Sequence, residues 1–304
     1  ADADALRDFA AANPAVTAGI PYPAILLGNR PDVLAASSSR GPAGSFDLLK
    51  PDVTAPGVRV LAAVSGTVLT GFEDAVALYN GTSMASPHQA GSAGLIQQAR
   101  PGWTPPEIKS ALAMTAERTV LLEDGVTPAD PHAGGSGRIR VDRAVAAGLV
   151  LHETAANYAA ANPATGGDPG TLNQPSMVRR NCAPECVFVR TFRNTLPVAQ
   201  GYRAQLQGLP GRVTPANLKV PAGATVSVRV VIDGSALPAD GSWNFGQLLL
   251  TPASAGRTAP PELHLPIAVV VPPPVIQLPA LVTAALQAGR GGRASTTVGN
   301  AGGS

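Results

Sequence analysis

The period of the apolar residues changes once along this chain, near residue 153, and that change limits the architectures open to it. From about 153 to 272 helical periodicity disappears. Short alternating runs replace it: "CVFVRTFRN", "GYRAQL", "ANLKV", "TVSVRVVI", "QLLLTP" and "LHLPIAVVV", punctuated by Gly, Pro and Asn. Six or more short strands at this spacing predict a β-sandwich. The 304 residues leave room for two domains. A composition 45% hydrophobic and 14% charged is that of a folded, core-forming protein rather than a disordered one.

Before residue 153 the patterns are helical and mixed. Residues 4–12, "DALRDFAAA", predict a short amphipathic helix, and "AVTAGI" after it a strand. Residues 37–57 are rich in Ser, Gly, Pro and Asp and read as loop. "VRVLAAV" (58–64) predicts a buried strand, and "AVALYN" leads into a helix over 83–100. That helix is rich in small residues (Ala85, Ala90, Gly91, Ala93, Gly94), so a central, tightly packed position is expected. A second helix opens at "TPPEIKSALAMTA", with Thr104 as N-cap, Pro105 in the first helical position and Glu107 closing a capping box. Ile108, Ala111 and Leu112 would form its inner face. "GSGRIRVDRAVAAGLV" (135–150) reads as a turn, a short strand and a last helix. "VPPPVIQLP" has the composition of a stiff linker. Residues 275–304 read as the first strands of a further β-module, cut off.

The net charge of +2 and the absence of any run of like charge argue against nucleic acid or an anionic membrane as partner. The longest apolar run, 267–271, is strand-sized and ends in three prolines, so no membrane span is expected. The chain has neither an initiator Met nor a signal-peptide pattern. Both ends read as cuts in a longer protein. Of the two cysteines, Cys182 and Cys186, two readings stand: buried thiols, or a local disulfide across Ala-Pro-Glu. Zinc is not expected, because no second Cys/His pair is near enough to complete four ligands.

One short stretch carries chemistry. In "NGTSMASPHQAG" (80–91), Ser83 stands where a helix begins. A serine hydroxyl is a weak nucleophile and needs a base and oxyanion donors. A helix N-terminus supplies free N–H groups and the positive end of the dipole. Gly81 leaves room for a substrate backbone, and Pro87 lacks the N–H that would return to the Ser83 carbonyl. On the helix pattern alone, an ordinary N-cap serine is the better reading.

The block Gly81-Thr82-Ser83-Met84-Ala85-Ser86-Pro87-His88, followed by Ala90-Gly91, resembles the active-site serine block of the subtilisin-like serine proteases, the subtilases. "SSSRGP" and "LKPDVTAPGVRVLAA" resemble the family's upstream stretch. "RPGWTPPEIKSALAMTA" resembles its following helix, and "GSGRIRVDRAVAAGLVL" the end of its catalytic domain. The likeness covers roughly residues 35–152. It implies an α/β domain, the C-terminal half of a subtilisin-like parallel-sheet domain over 23–152. Residues 1–22 look like the end of a protease-associated domain insertion. Residues 153–272, through "LNQPSMV" and "VRTFRN", look like a fibronectin-III-like β-sandwich, with 273–304 as linker and truncated module. The cysteine pair would then staple an extracellular domain.

The resemblance assigns Ser83 as nucleophile and its backbone N–H as an oxyanion donor, with Gly81, Thr82, Met84 and Pro87 in support. Met84 is an oxidation-sensitive position. The family's triad Asp and His motifs, D-T/S-G and H-G-T-H, are absent. The histidines are His88, His132, His152 and His264. His88 lies five residues along the helix, the wrong direction for a base, and His132 reads as a surface residue. Asp47, Asp52 and Asp74 gain no catalytic role from the resemblance. The side-chain oxyanion Asn would precede residue 1. Asn80 is not that residue, and the glycosylation sequon it forms with Thr82 would be blocked by its sugar. The implied function is a secreted, bacterial serine endopeptidase acting on proteins or peptides. No cofactor or metal is implied by the residues present, and calcium sites and oligomeric state are not set by them. This chain, lacking base and Asn donor, is expected to be inactive alone. A non-catalytic binding or spacer module with a relic serine block is the alternative. A lipase-type elbow is excluded, because position 85 is Ala rather than Gly.

Overall fold

The computed structural model describes residues 2–15, 30–63, 76–254, 256, 259–274, 276–277 and 299–300. It divides into two units, Ala1–Pro31 and Asp32–Ser304. In the first, the expected helix runs Asp2–Ala12, and the Asn13 amide donates to the Phe9 carbonyl at 2.8 Å beyond its end. The "AVTAGI" segment and Asp74 lie outside the described residues, as does most of 275–304. There, β12 (Ile276–Gln277) pairs with β13 (Gly299–Asn300).

The second unit opens with loop and a hairpin. β1 (Val60–Ala63) pairs antiparallel with β2 (Val76–Tyr79), Val60 opposite Tyr79. The expected strand is there, but it is not buried: Leu61 is 65% exposed and Leu78 60%. A two-stranded ribbon has no third strand to cover either face. The serine helix (Thr82–Ala99) follows, and its burial also departs from expectation. Only Ser92 and Ile96 of its residues are buried, and Leu95 is 58% exposed. Its small side chains suit close packing, but among the described residues little packs on them. Expected parallel pairing in this part appears, among the described residues, only as isolated bridges of Val33 with Leu121 and Thr54 with Arg138.

The next helix (Pro105–Met114) matches its sequence signals. The Thr104 N–H donates to the Glu107 carboxylate at 2.9 Å, the return half of the capping box. Ile108, Ala111 and Leu112 are buried as expected. Downstream, Pro131–Gly134 and Val141–Ala144 form single helical turns, the first capped by the Asp130 side chain on the Ala133 N–H. The short strand expected before Val141 is reduced to isolated bridges of Arg138 with Thr54 and with Glu117. The expected last helix is shortened to the Val141–Ala144 turn, and β3 (Leu149–Leu151) takes its C-terminal end, with all three residues fully buried. A short helix (Ala155–Ala160) then interrupts the region read as purely β.

The alternating runs form two sheets. One has the order β4 (Met177–Arg179), β11 (Leu263–Val270), β10 (Trp243–Pro252), β6 (Gln200–Gln207), β8 (Asn217–Val220). The other has β3, β5 (Glu185–Asn194), β9 (Thr225–Asp233), β7 (Gly211–Thr214). All pairings are antiparallel except β11 with β4. Alternation is plain in β5, where Cys186, Phe188, Arg190, Phe192 and Asn194 are buried. β4 and β7 are short and without clear alternation, so the sequence does not signal them. Both sheets contribute to one core, through Phe188, Phe192 and Val230 on one side and Tyr202, Leu248 and Leu265 on the other. Ile108, Leu112 and Met114 belong to the same core, and Val150 pairs with Arg193. The part before residue 153 is thus built into the sheets after it.

Candidate active site

Ser83 is the second residue of the serine helix, not its cap. Gly81 holds the cap position with φ of 151°, a conformation side chains other than glycine's rarely adopt. Met84 and Ala85 return their N–H groups to the Gly81 carbonyl at 3.0 and 3.3 Å. The N–H groups of Thr82 and Ser83 precede any intrahelical acceptor and remain donors at the positive end of the helix. Thr82, Ser83 and Pro87 are exposed, and Gly81 and Met84 half-buried. Pro87 sits inside the helix and cannot donate to the Ser83 carbonyl.

Two contacts that sequence reading missed hold this turn. The Gly81 N–H donates to the Gly57 carbonyl at 2.8 Å, and the Arg59 N–H donates to Asn80 Oδ1 at 2.6 Å. Arg59 adopts φ of 54° to make that bond. A Cβ at Gly57 would lie 2.9 Å from the Gly81 carbonyl oxygen and 3.3 Å from Ala85 Cβ. Gly57 is therefore a point of close backbone approach. The Pro-Gly pair before a strand and the Asn-Gly pair before a helix were the available signals.

The structure brings no histidine to Ser83 among the described residues. His88 Nδ1 turns back along its own helix to the Met84 carbonyl, 2.8 Å away. His132 is buried, contrary to the surface position expected: its ring meets Trp243 and Phe245 edge to face, with centroids 4.6 and 5.1 Å apart. His152 lies 3.6 Å from Glu107, and His264 is buried against the Ser136 carbonyl at 2.8 Å. The aspartates are equally committed. Asp47 accepts from the Arg180 N–H at 2.9 Å and from Arg179 at 3.1 Å. Asp52 pairs with Lys109 at 2.9 Å and with Lys50. Burial would raise the Asp52 pKa, but the two ammonium groups outweigh it and hold the carboxyl below its ordinary value.

A disulfide joins Cys182, in the turn after β4, to Cys186 at the start of β5, with Cα atoms 4.7 Å apart. Among the described residues no cluster of His, Cys, Asp and Glu could hold a metal ion. No helix there is long and apolar enough to cross a membrane. A groove of about 320 Å³ lies between the serine helix and the Pro105–Met114 helix, lined by Gln89, Gln97, Ile108, Lys109 and Leu112 among others, and Ser83 is not part of it.

The arrangement offers an exposed hydroxyl, adjacent N–H donors and a glycine-opened approach, which suits acyl transfer once a base is supplied. Comparison with known proteins agrees. Residues 15–152 match the Subtilase family. A subtilisin-like protease of Arabidopsis thaliana, SBT1.6, is 30% identical over 269 residues, covering 75% of this chain and 34% of that protein. A subtilisin-like protease of Glycine max, Glyma18g48580, is 41% identical over 150 residues, 44% of this chain and 19% of that protein. The chain thus spans about a third of the length of the first of these curated relatives. Both are plant proteins and lend no support to the bacterial origin expected from the sequence. A crystal structure of the Pseudomonas aeruginosa CupB2 chaperone aligns with 28% of this chain and 47% of its own, at TM-score 0.24 and 16% identity, a likeness that carries no argument. The family match and the intact block around Ser83 together make residues 15–152 a segment of the subtilase family of serine peptidases.

Proposed function

We propose that this chain is part of a secreted subtilisin-like serine endopeptidase in which Ser83 attacks the peptide carbonyl and carries the acyl group. The observation that supports it most directly is the position of Ser83, second in a helix whose cap is a glycine in a left-handed conformation. There its own N–H can donate to the oxyanion as the hydroxyl attacks. Protein and peptide chains are the substrates. The base, its aspartate partner and the side-chain oxyanion donor come from residues outside this sequence, because each histidine in it is engaged elsewhere. Residues 1–22 are the end of a protease-associated domain. Residues 153–272 are a fibronectin-III-like sandwich, a reading supported by the two sheets over one core.

The test is labelling with a fluorophosphonate, on this chain and on a longer protein containing it, with Ser83→Ala as control. Labelling of the longer protein alone, abolished by Ser83→Ala, is expected. Labelling of neither, with folding confirmed, would return the chain to a non-catalytic role. Ser83-dependent proteolysis by this chain alone would overturn the assignment of the base to residues outside it.

A further inference from the structure

The loop 131–137 crosses from the subtilase segment to the large β-sheet and is fastened there by two histidines. One is its own: His132, 7% exposed, set between Trp243 and Phe245 of β10. The other comes from β11: His264, 5% exposed, whose Nε2 donates to the Ser136 carbonyl at 2.8 Å. Neither has a carboxylate partner. His132 Nε2 is buried without any hydrogen-bond partner. We propose that this loop is an acid-releasable latch, held to the five-stranded sheet by His132 and His264 only while both imidazoles are neutral.

The surroundings of each ring oppose a positive charge. Around His132, burial is the largest influence and lowers its pKa. The Arg180 guanidinium, itself 5.4 Å from the Trp243 ring centre, acts in the same sense, and Asp130 on the loop's own turn acts against both. β10 contributes two uncharged rings, and the Gly41 loop contributes backbone, its N–H donating to the His132 carbonyl at 2.8 Å. Around His264, burial again dominates, aided by Arg118. The carbonyls of Ser136 and Met114 and the Glu117 carboxylate oppose it, and the outcome is a pKa pushed down to about 4. Glu262, two residues before His264 on the chain, is paired with Arg118 at 2.9 Å. Both folded-state values thus lie below the ordinary histidine value of about 6.5, at which the freed rings would titrate. The open state then binds more protons than the closed one. Stability of the closed state is complete above that value and is lost as pH falls towards the folded values. Opening lets each ring bind up to one further proton, so the opening constant rises as pH falls, by at most about tenfold per pH unit for each histidine.

Hydrogen exchange of this chain reads that constant directly. Amide protection over residues 130–139, corrected for intrinsic rates, is followed from pH 6.5 to 5, above the range where carboxylates contribute most. A fall steeper than one histidine can produce, more than about tenfold per pH unit at the acid end, is expected in the unmodified chain. The fall should be shallower, at most about tenfold per pH unit, in His132→Phe, which keeps a ring in the aromatic box, and in His264→Gln, which keeps a donor for Ser136. It should be close to nil in the double variant. An equal fall in the double variant, or none in the unmodified chain, overturns the proposal. If a variant does not fold, imidazole ¹³C resonances of the unmodified chain decide: in the closed state both rings must titrate below the ordinary histidine value. Titration of either near the ordinary value while the loop remains protected refutes the latch.

Discussion

Arg193 of β5 donates through Nε to the buried carboxylate of Glu107 at 2.7 Å, tying the helix after the serine helix to the four-stranded sheet. Glu107 also caps its own helix through the Thr104 N–H. Burial alone would raise its pKa. The bonds from Arg193 and Thr104 outweigh that and leave the carboxyl below its ordinary value. A lowered carboxylate stabilises the fold above its unfolded value, and that stability disappears as pH falls through the folded value. Glu107→Ala should cost about 2–4 kcal/mol at neutral pH, since it leaves a partly buried guanidinium and a helix end unpaired. Urea unfolding checks the magnitude. The difference between variant and parent should shrink below about pH 4, the ordinary carboxylate range.

Gly57 makes a separate prediction, about the serine turn rather than the core. In Gly57→Ala the new methyl meets the Gly81 carbonyl oxygen at 2.9 Å, backbone that cannot swing aside. The turn carrying Ser83 must shift. Displacement of a nucleophile by a fraction of an ångström to an ångström slows acyl transfer by about ten- to a hundredfold. The rate of fluorophosphonate labelling of Ser83 in a longer, active protein should fall by that factor with its melting temperature little changed. An unaltered labelling rate would show that the Gly57 contact does not position Ser83.

Periodicity made the larger elements legible before any coordinates. β5, β6, β8, β9, β10 and β11 fall on the alternating runs, and the Thr104 capping box fixed the start of its helix. The Ser83 block located the turn that positions it. What stayed hidden depends on long-range partners. Nothing in "DPHAGGSG" signals that Trp243 and Phe245, over a hundred positions later, will bury His132. Exposure of the serine helix was equally invisible, because small residues report a capacity for close packing and not the presence of a neighbour. β3 was read as helix since "AVAAGLV" has good helix formers. Its strand state is set by pairing with Phe192–Asn194 on β5, a tertiary override of local propensity.

Arg190 is a buried polar residue of the β-region. Its buried guanidinium serves three backbone carbonyls, those of Gln174, Ser176 and Val189, at 2.7, 2.6 and 2.9 Å. Burial lowers its pKa to about 10, still high enough to keep it charged at neutral pH. Arg190→Met should destabilise by about 3 kcal/mol or more, because the carbonyls lose their donors together. Arg190→Lys should recover little of this, since one ammonium cannot reproduce the planar fork. Chemical denaturation of the two variants checks both statements, and full recovery by lysine would mean that charge and not geometry matters here.

Tyr202 and Gly148 give a prediction with opposite signs. The Tyr202 hydroxyl is buried with no hydrogen-bond partner, and burial raises its pKa. A Cβ built on Gly148 would overlap that hydroxyl and would lie 3.0 Å from Pro260 Cβ. Removing an unpaired buried hydroxyl relieves desolvation, so Tyr202→Phe should be neutral or stabilising by up to about 1 kcal/mol. Gly148→Ala alone should cost about 1–3 kcal/mol through overpacking. In the Tyr202→Phe background the same alanine should cost about 1 kcal/mol less, because its nearest obstruction is gone while Pro260 remains. A thermal-unfolding double-mutant cycle measures that coupling. Strict additivity would place the obstruction at Pro260, and a destabilising Tyr202→Phe would require a partner for the hydroxyl.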